Sequence, residues 1–172
     1  MAPFFRTYRI NEAGARVDGV FAMAFIHNRE YHLTHISVYA DGMIDCWELV
    51  DFEEFKEKVR RGWVVTQPPE GAQVSVSFLA RFKAADARFF IEPDEFIKEV
   101  ADEIEALNGR PTTSDICVKA WKAFQASPSE TTREALRHAY LAMPKHLRRF
   151  VLGDMDEKDS RIRRALDMTA AG

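Results

Sequence analysis

The stretch VDGVFAMAFIHNREYHLTHISVYA, residues 17–40, decides the fold class of this chain. Two apolar-rich runs flank the letters NREY, a spacing typical of antiparallel strands joined by a short turn. If the turn is centred on residues 29–30, His27 lies opposite His32 in the paired strands. The sequence therefore predicts that a sheet is built around this hairpin.

A second hairpin is indicated at Asp41-Gly42, because a two-residue turn of this kind needs positive φ at both positions. A turn centred there pairs His35 with Glu48 across the strands. Side chains alternate along a strand, and these registers leave apolar side chains on both faces of the sheet. Such a sheet is covered on both faces or curled into a barrel.

Helical patterns interrupt and then follow the strands. Asp51 with Glu54 resembles a capping box ahead of an apolar stripe, and Gly62 closes that helix. From Pro93 onward the apolar residues recur at helical spacing. We predict an α+β fold: a curved, mostly antiparallel β-sheet or partly open barrel with one inserted short helix, followed by a C-terminal helical region.

The predicted division places a β-rich module at residues 1–92, with its helix at about 51–61. Residues 93–172 form a helical extension that packs on this module or on a second subunit. The chain has 172 residues, 47% of them hydrophobic and 30% charged, so a buried core is expected.

Net charge, apolar runs and cysteine content bear on the partners and the location of the protein. The net charge of −3 gives no reason to expect nucleic acid, and no apolar run or leader pattern predicts a membrane partner. Cys46 and Cys117 lie among apolar neighbours, which favours two buried free thiols over a disulfide framework. We expect a cytoplasmic protein without a cofactor.

Two segments are similar to known bacterial sequences. Residues 25–65 carry an F-I-x-N-x-x-Y strand, a V-Y-x-D-G turn and C-W-E-L-V-D leading into an amphipathic helix. They resemble a family of uncharacterised bacterial proteins. Residues 143–163, MPKHLRRFVLGDMDEKDSRIR, resemble a recurring bacterial C-terminal segment. The resemblance implies a bacterial cytoplasmic protein, and it implies no activity and no catalytic residues.

The histidines of the first hairpin are candidates for a metal site. As cross-strand neighbours, His27 and His32 could share a divalent ion such as zinc. Zinc needs further ligands, and no Cys or acid stands at a signature spacing to supply them. Solvated side chains flanking a turn are the favoured interpretation.

His35 and Glu48 are the candidate pair for chemistry, because a carboxylate beside an imidazole raises the histidine pKa, as in general bases and pH switches. The alternative is a polar pair that serves the structure at the sheet end. Cys46 is interpreted as packing, since nothing nearby depresses its pKa.

The C-terminal tail carries the remaining candidates. Asp154, Asp156 and Asp159 resemble a cation loop but depart from the EF-hand pattern, so helix capping is favoured. A basic cluster makes three arginines candidate ligands for a phosphate-bearing molecule: Arg148, Arg149 and Arg163. Interleaved acids argue instead for an ion-pair network or a solvated face.

No strong catalytic motif occurs in the sequence. We therefore predict a non-catalytic binding or accessory module that has a protein partner or self-associates. The alternative is a small-ligand-binding or hydrolytic enzyme with a site near His35 and Glu48.

Overall fold

The computed structural model describes residues 6–153 and 158–168. In chain order the elements are β1 (Arg6–Ile10), β2 (Arg16–Asn28), β3 (Glu30–Tyr39), β4 (Ile44–Asp45), β5 (Leu49–Val50), α1 (Phe52–Arg60), β6 (Val64–Val65), β7 (Gln73–Val76), β8 (Ala80–Lys83), α2 (Pro93–Leu107), α3 (Thr113–Ala126), α4 (Glu130–Ala142), α5 (Lys145–Arg148) and α6 (Ser160–Ala165). The predicted α+β class is confirmed, and the sheet is open rather than a closed barrel.

The β2–β3 hairpin is the centre of the sheet. The main strand order is β1-β2-β3-β4-β5, and the short β6 lies on the same side of β2 as β1. On the other side, β7 pairs with β3 in parallel and carries β8 along its own far edge. Every strand among the described residues is thus placed, directly or through one neighbour, against this hairpin.

The predicted register of the β2–β3 hairpin is wrong by one residue. Asn28 pairs with Glu30, and the turn contains Arg29 alone, which adopts φ 65°. A one-residue shift moves every side chain of one strand to the other face relative to its partner. His27 therefore pairs with Tyr31, and His32 pairs with Ile26 on the opposite face.

The register of the β3–β4 hairpin is also displaced by one residue. The turn has three residues, 40–42, and only Gly42 has positive φ. Val38 then pairs with Ile44 and Ser37 with Asp45. The chain turns again at residues 46–48, so the predicted pairing of His35 with Glu48 does not form.

Even-numbered residues of β2 and β3 form the inner face, which α1 and α2 cover. Asp51 caps α1, its carboxylate accepting a hydrogen bond from the Glu54 amide at 2.8 Å, as predicted. The buried side chains of this core are Val20, Ala24, Ile26, Ile36, Val38, Ile44, Cys46, Val50, Phe55, Val59, Val64, Phe96 and Val100. The other face is partly exposed, with Met23 50% exposed.

The chain divides into two compact units, the first ending at Gly109 and the second beginning at Arg110. The sequence-based boundary at 92/93 separates α2 from the sheet. In the structure α2 belongs to the first unit, because its Phe96 and Val100 are buried in the sheet's core. The second unit packs its helices around a core that includes Cys117, Leu136 and Ile162.

The acidic helix α2 makes the stability of the first unit depend on pH. Burial, and secondly the charges of Glu99 and Asp102, raise the pKa of Glu103 from 4.5 to about 7. Between these pH values the folded chain holds a proton that the unfolded chain has lost. The free energy of unfolding therefore falls as pH rises from about 4.5 to about 7.

We expect Glu103→Gln to remove this decrease and to stabilise the protein above pH 7 relative to the parent. Urea unfolding measured at several pH values checks it. Glu12→Gln, which removes a carboxylate from an exposed position, is the control. An identical pH dependence for the Glu103 variant and the parent would contradict the assignment.

Candidate aromatic contact site

Residues 46–48 form a tight turn between β4 and β5 with a bulky residue at its centre. Trp47 has φ 73°, a left-handed conformation that glycine adopts at no steric cost. For a non-glycine residue this conformation costs roughly 1–2 kcal/mol. Trp47 is nevertheless 49% exposed. A strained and half-exposed tryptophan is an outlier that motivates a functional hypothesis.

Two further rings surround Trp47, and we call Trp47, His32 and Trp63 the aromatic corner. The His32 ring lies 5.1 Å from that of Trp47, and the Trp63 ring lies 6.4 Å away at nearly a right angle. The Trp63 indole N–H donates to the Cys46 carbonyl at 3.2 Å, which links the turn to the residue just before β6. His32 lies in β3 and Trp63 directly precedes β6, so strands of the sheet fix the positions of both rings.

An ion pair borders the corner. The Lys58 ammonium donates to Glu48 at 2.8 Å and lies 5.5 Å from the centre of the Trp63 ring. The hydrogen bond to Glu48 holds the pKa of Lys58 above its ordinary value. Glu48 is thus partnered by Lys58 of α1, and not by a histidine.

The His32 ring is hydrogen-bonded to Ser75, a serine on the neighbouring strand β7. Ser75 Oγ lies 2.8 Å from His32 Nδ1, and His32 Nε2 lies 3.2 Å from the Asn28 carbonyl oxygen. If Nε2–H donates to that carbonyl, Nδ1 accepts from the Ser75 hydroxyl. A serine, a histidine and an orienting acceptor are the components of a nucleophilic site. Ser75 is only 4% exposed, so we assign the pair to positioning of the His32 ring.

The predicted hairpin pairs are not brought together. His27 and His32 lie on opposite faces because of the register at Arg29, so the structure does not bring these two candidate metal ligands together. His35 is exposed on the outer face, opposite Met23 and 5.2 Å from the Phe21 ring. Among residues 6–153 and 158–168 no group of three His, Cys, Asp or Glu side chains could hold a metal ion.

The arginines proposed as ligands lie in the second unit. The Arg148 guanidinium donates to the carbonyls of Leu141 and Met143 at 2.8 and 3.0 Å, so it closes the end of α4. Arg149 lies over the Phe150 ring at 5.3 Å. The structure thus gives Arg148 backbone partners, and binding of a phosphate-bearing ligand by Arg148, Arg149 and Arg163 stays a prediction.

The acidic residues of the tail are only partly within the described chain. Asp154 and Asp156 lie outside the described residues. Asp159 is buried in the second unit and accepts a hydrogen bond from the Tyr140 hydroxyl. Burial, and then this carboxylate, raise the pKa of Tyr140.

An open groove lies in the second unit, and each unit contains one buried thiol. An open groove of about 880 Å³ lies between α3 and α4, and none of the predicted site residues lines it. Burial raises the pKa of the Cys46 and Cys117 thiols to about 11. Both cysteines are buried and free, so the interpretation of Cys46 as packing is confirmed.

Trp47, Trp63 and Ser75 are the site residues that sequence reasoning missed. The letters DCWEL contain no glycine to indicate a turn, so the sequence predicts one continuous strand there. The contact between Ser75 and His32 joins residues 43 positions apart through the parallel pairing of β3 and β7. No local pattern in either segment reports that pairing.

Comparison with known proteins places the chain in a family. Residues 6–111 match a family described as a domain of unknown function, DUF7638. The chain belongs to this family. Residues 112–170 match a second domain of unknown function, DUF7639. The border between DUF7638 and DUF7639 lies close to the division between the two units at Gly109. No curated protein and no solved structure matches the chain.

The positioning role of Ser75 is testable. We expect Ser75→Ala to lower the free energy of unfolding by about 1 kcal/mol, because His32 Nδ1 loses its partner. Urea denaturation measures this, with Ser37→Ala on the other face of β3 as the control. Ester hydrolysis by the parent that disappears in Ser75→Ala would contradict a purely positioning role.

Proposed function

We propose that this protein is a non-catalytic binding module that contacts a partner polypeptide through the aromatic corner. The observation that carries the proposal is Trp47, which is strained and half-exposed at once. A side chain that served only packing would be expected to bury its ring. Backbone strain clusters at ligand contacts, where the surrounding structure holds it in place.

The chemistry around Trp47 favours a polypeptide as the partner. Tryptophan is enriched among the residues that carry most binding energy at protein interfaces. Leu49, two residues along, is also exposed, and β5 forms the end of the main strand order. An extended partner segment can pair with that open edge and place an apolar side chain against Trp47.

A reducing bacterial cytoplasm is the proposed location. Two buried free thiols support it, since Cys46 and Cys117 have no disulfide between them. In the described part of the chain, no helix has the length and apolar character needed to cross a membrane. Self-association also stays a prediction, and a single 19.7 kDa species in sedimentation equilibrium at micromolar concentration would contradict it.

Two substitutions separate the strain at Trp47 from the contribution of its ring. Trp47→Asn and Trp47→Ala both remove the indole, but asparagine tolerates the left-handed conformation better. We expect Trp47→Asn to be more stable than Trp47→Ala by about 1 kcal/mol. Urea unfolding measures the difference. Equal stabilities would show that the turn relaxes without the ring, and the strain argument would fail.

Binding is tested with a displayed library of random peptides selected on the immobilised protein. We expect selected peptides to carry an aromatic or large aliphatic residue and to lose about tenfold or more in affinity for Trp47→Asn. Fluorescence anisotropy with the synthetic peptide measures the affinity. Ile116→Gln, an exposed apolar residue of α3, is the control. Peptides whose affinity ignores Trp47 would overturn the proposal.

A further inference from the structure

The turn between β7 and β8 exposes two large apolar side chains. Val76 pairs with Ala80, and the Leu79 amide donates to the Val76 carbonyl at 2.9 Å, so residues 77–79 form a closed turn. Phe78 is fully exposed and Leu79 is 86% exposed. We call Phe78 and Leu79 the apolar tip. Nothing within the described part of the chain covers it.

Cations lie directly behind the apolar tip. All four side chains of β8 are exposed, among them Arg81 and Lys83. Arg81 contacts Glu30 at 3.0 Å and is still 68% exposed. At about 3.3 Å per residue, Arg81 follows Leu79 by roughly 7 Å and Lys83 by roughly 13 Å.

We propose that the β7–β8 hairpin docks on a lipid surface containing anionic headgroups. Amphipathic helices at a membrane surface bury their apolar side about 5–10 Å into the boundary between headgroups and acyl chains, and this depth is the reference for the hairpin. Insertion of the apolar tip to that depth brings Arg81 to the level of the phosphates. Lysine and arginine close to an anionic surface add to the binding. The apolar tip is followed along the hairpin by cations, and in the same order the acyl chains of such a surface are followed by anionic headgroups.

Two other occupants fit less well. A second copy pairing along the open edge of β8 would bring the cations Arg81 and Lys83 close to their counterparts, and charged edge strands disfavour such pairing. Single-stranded nucleic acid is held by successive aromatic platforms in a positively charged groove. The apolar tip has one aromatic ring, Phe78, beside the aliphatic Leu79, and the net charge of the chain is −3. Docking of this kind needs no membrane-spanning helix.

The test is co-sedimentation of the full chain with vesicles of phosphatidylcholine, with and without phosphatidylserine. We expect binding only when phosphatidylserine is present, with about tenfold or greater loss of affinity in the double variant Phe78→Ser, Leu79→Ser. Added salt and Lys83→Gln should both weaken the binding. Since the substituted side chains are exposed, circular dichroism should show an unchanged fold.

Ile116→Gln, which removes an exposed apolar residue outside the hairpin, should bind vesicles as the parent does. Trp47→Asn should also bind normally, because this docking is independent of the aromatic corner. A parent protein that ignores phosphatidylserine vesicles would overturn the proposal, as would binding unaffected by the tip substitutions. Tip-dependent binding to a single-stranded oligonucleotide instead of vesicles, or tip-dependent dimerisation instead of vesicle binding, would also overturn it.

Discussion

The one-residue turn at Arg29 sets the pairing of β2 with β3, and the rest of the first unit is arranged around that pair. With Arg29 left-handed, even-numbered residues of both strands point to one face. That face receives α1 and α2 and becomes the core. His32 lies on the same face, so this register places its imidazole in contact with the Trp47 ring and within hydrogen-bond distance of Ser75.

Three hairpin turns of this unit each use three residues, and they differ in what occupies the left-handed position. The turn at residues 40–42 has Gly42 there, which adopts the conformation without strain. The turns at residues 46–48 and 77–79 use Trp47 and Ser77. Both strained turns carry exposed large apolar side chains, whereas the turn with glycine joins β3 to the two-residue β4. The aromatic corner thus includes a residue in the left-handed conformation, Trp47, and the apolar tip directly follows one, Ser77.

Local patterns predicted the elements better than their pairing. The cap at Asp51, the closing Gly62 and the helical spacing after Pro93 all appear in the structure, because each depends on hydrogen bonds and packing between near neighbours in the chain. The registers of both hairpins were displaced by one residue, because the count of residues in a turn depends on backbone conformations that the sequence does not show. The register also decides which residues face each other, so the predicted pairing of His35 with Glu48 is wrong.

By itself, the sequence determined the α+β class, the placement of most helices after the strands, and the burial of Cys46. The alternation and the helical spacing of apolar residues are visible in the amino-acid sequence, so strands and helices can be recognised without the tertiary structure. The tertiary structure alone decided that α2 joins the sheet and that Trp47 turns outward beside His32 and Trp63. Those arrangements arise from contacts between distant segments, whose free energy depends on the whole fold.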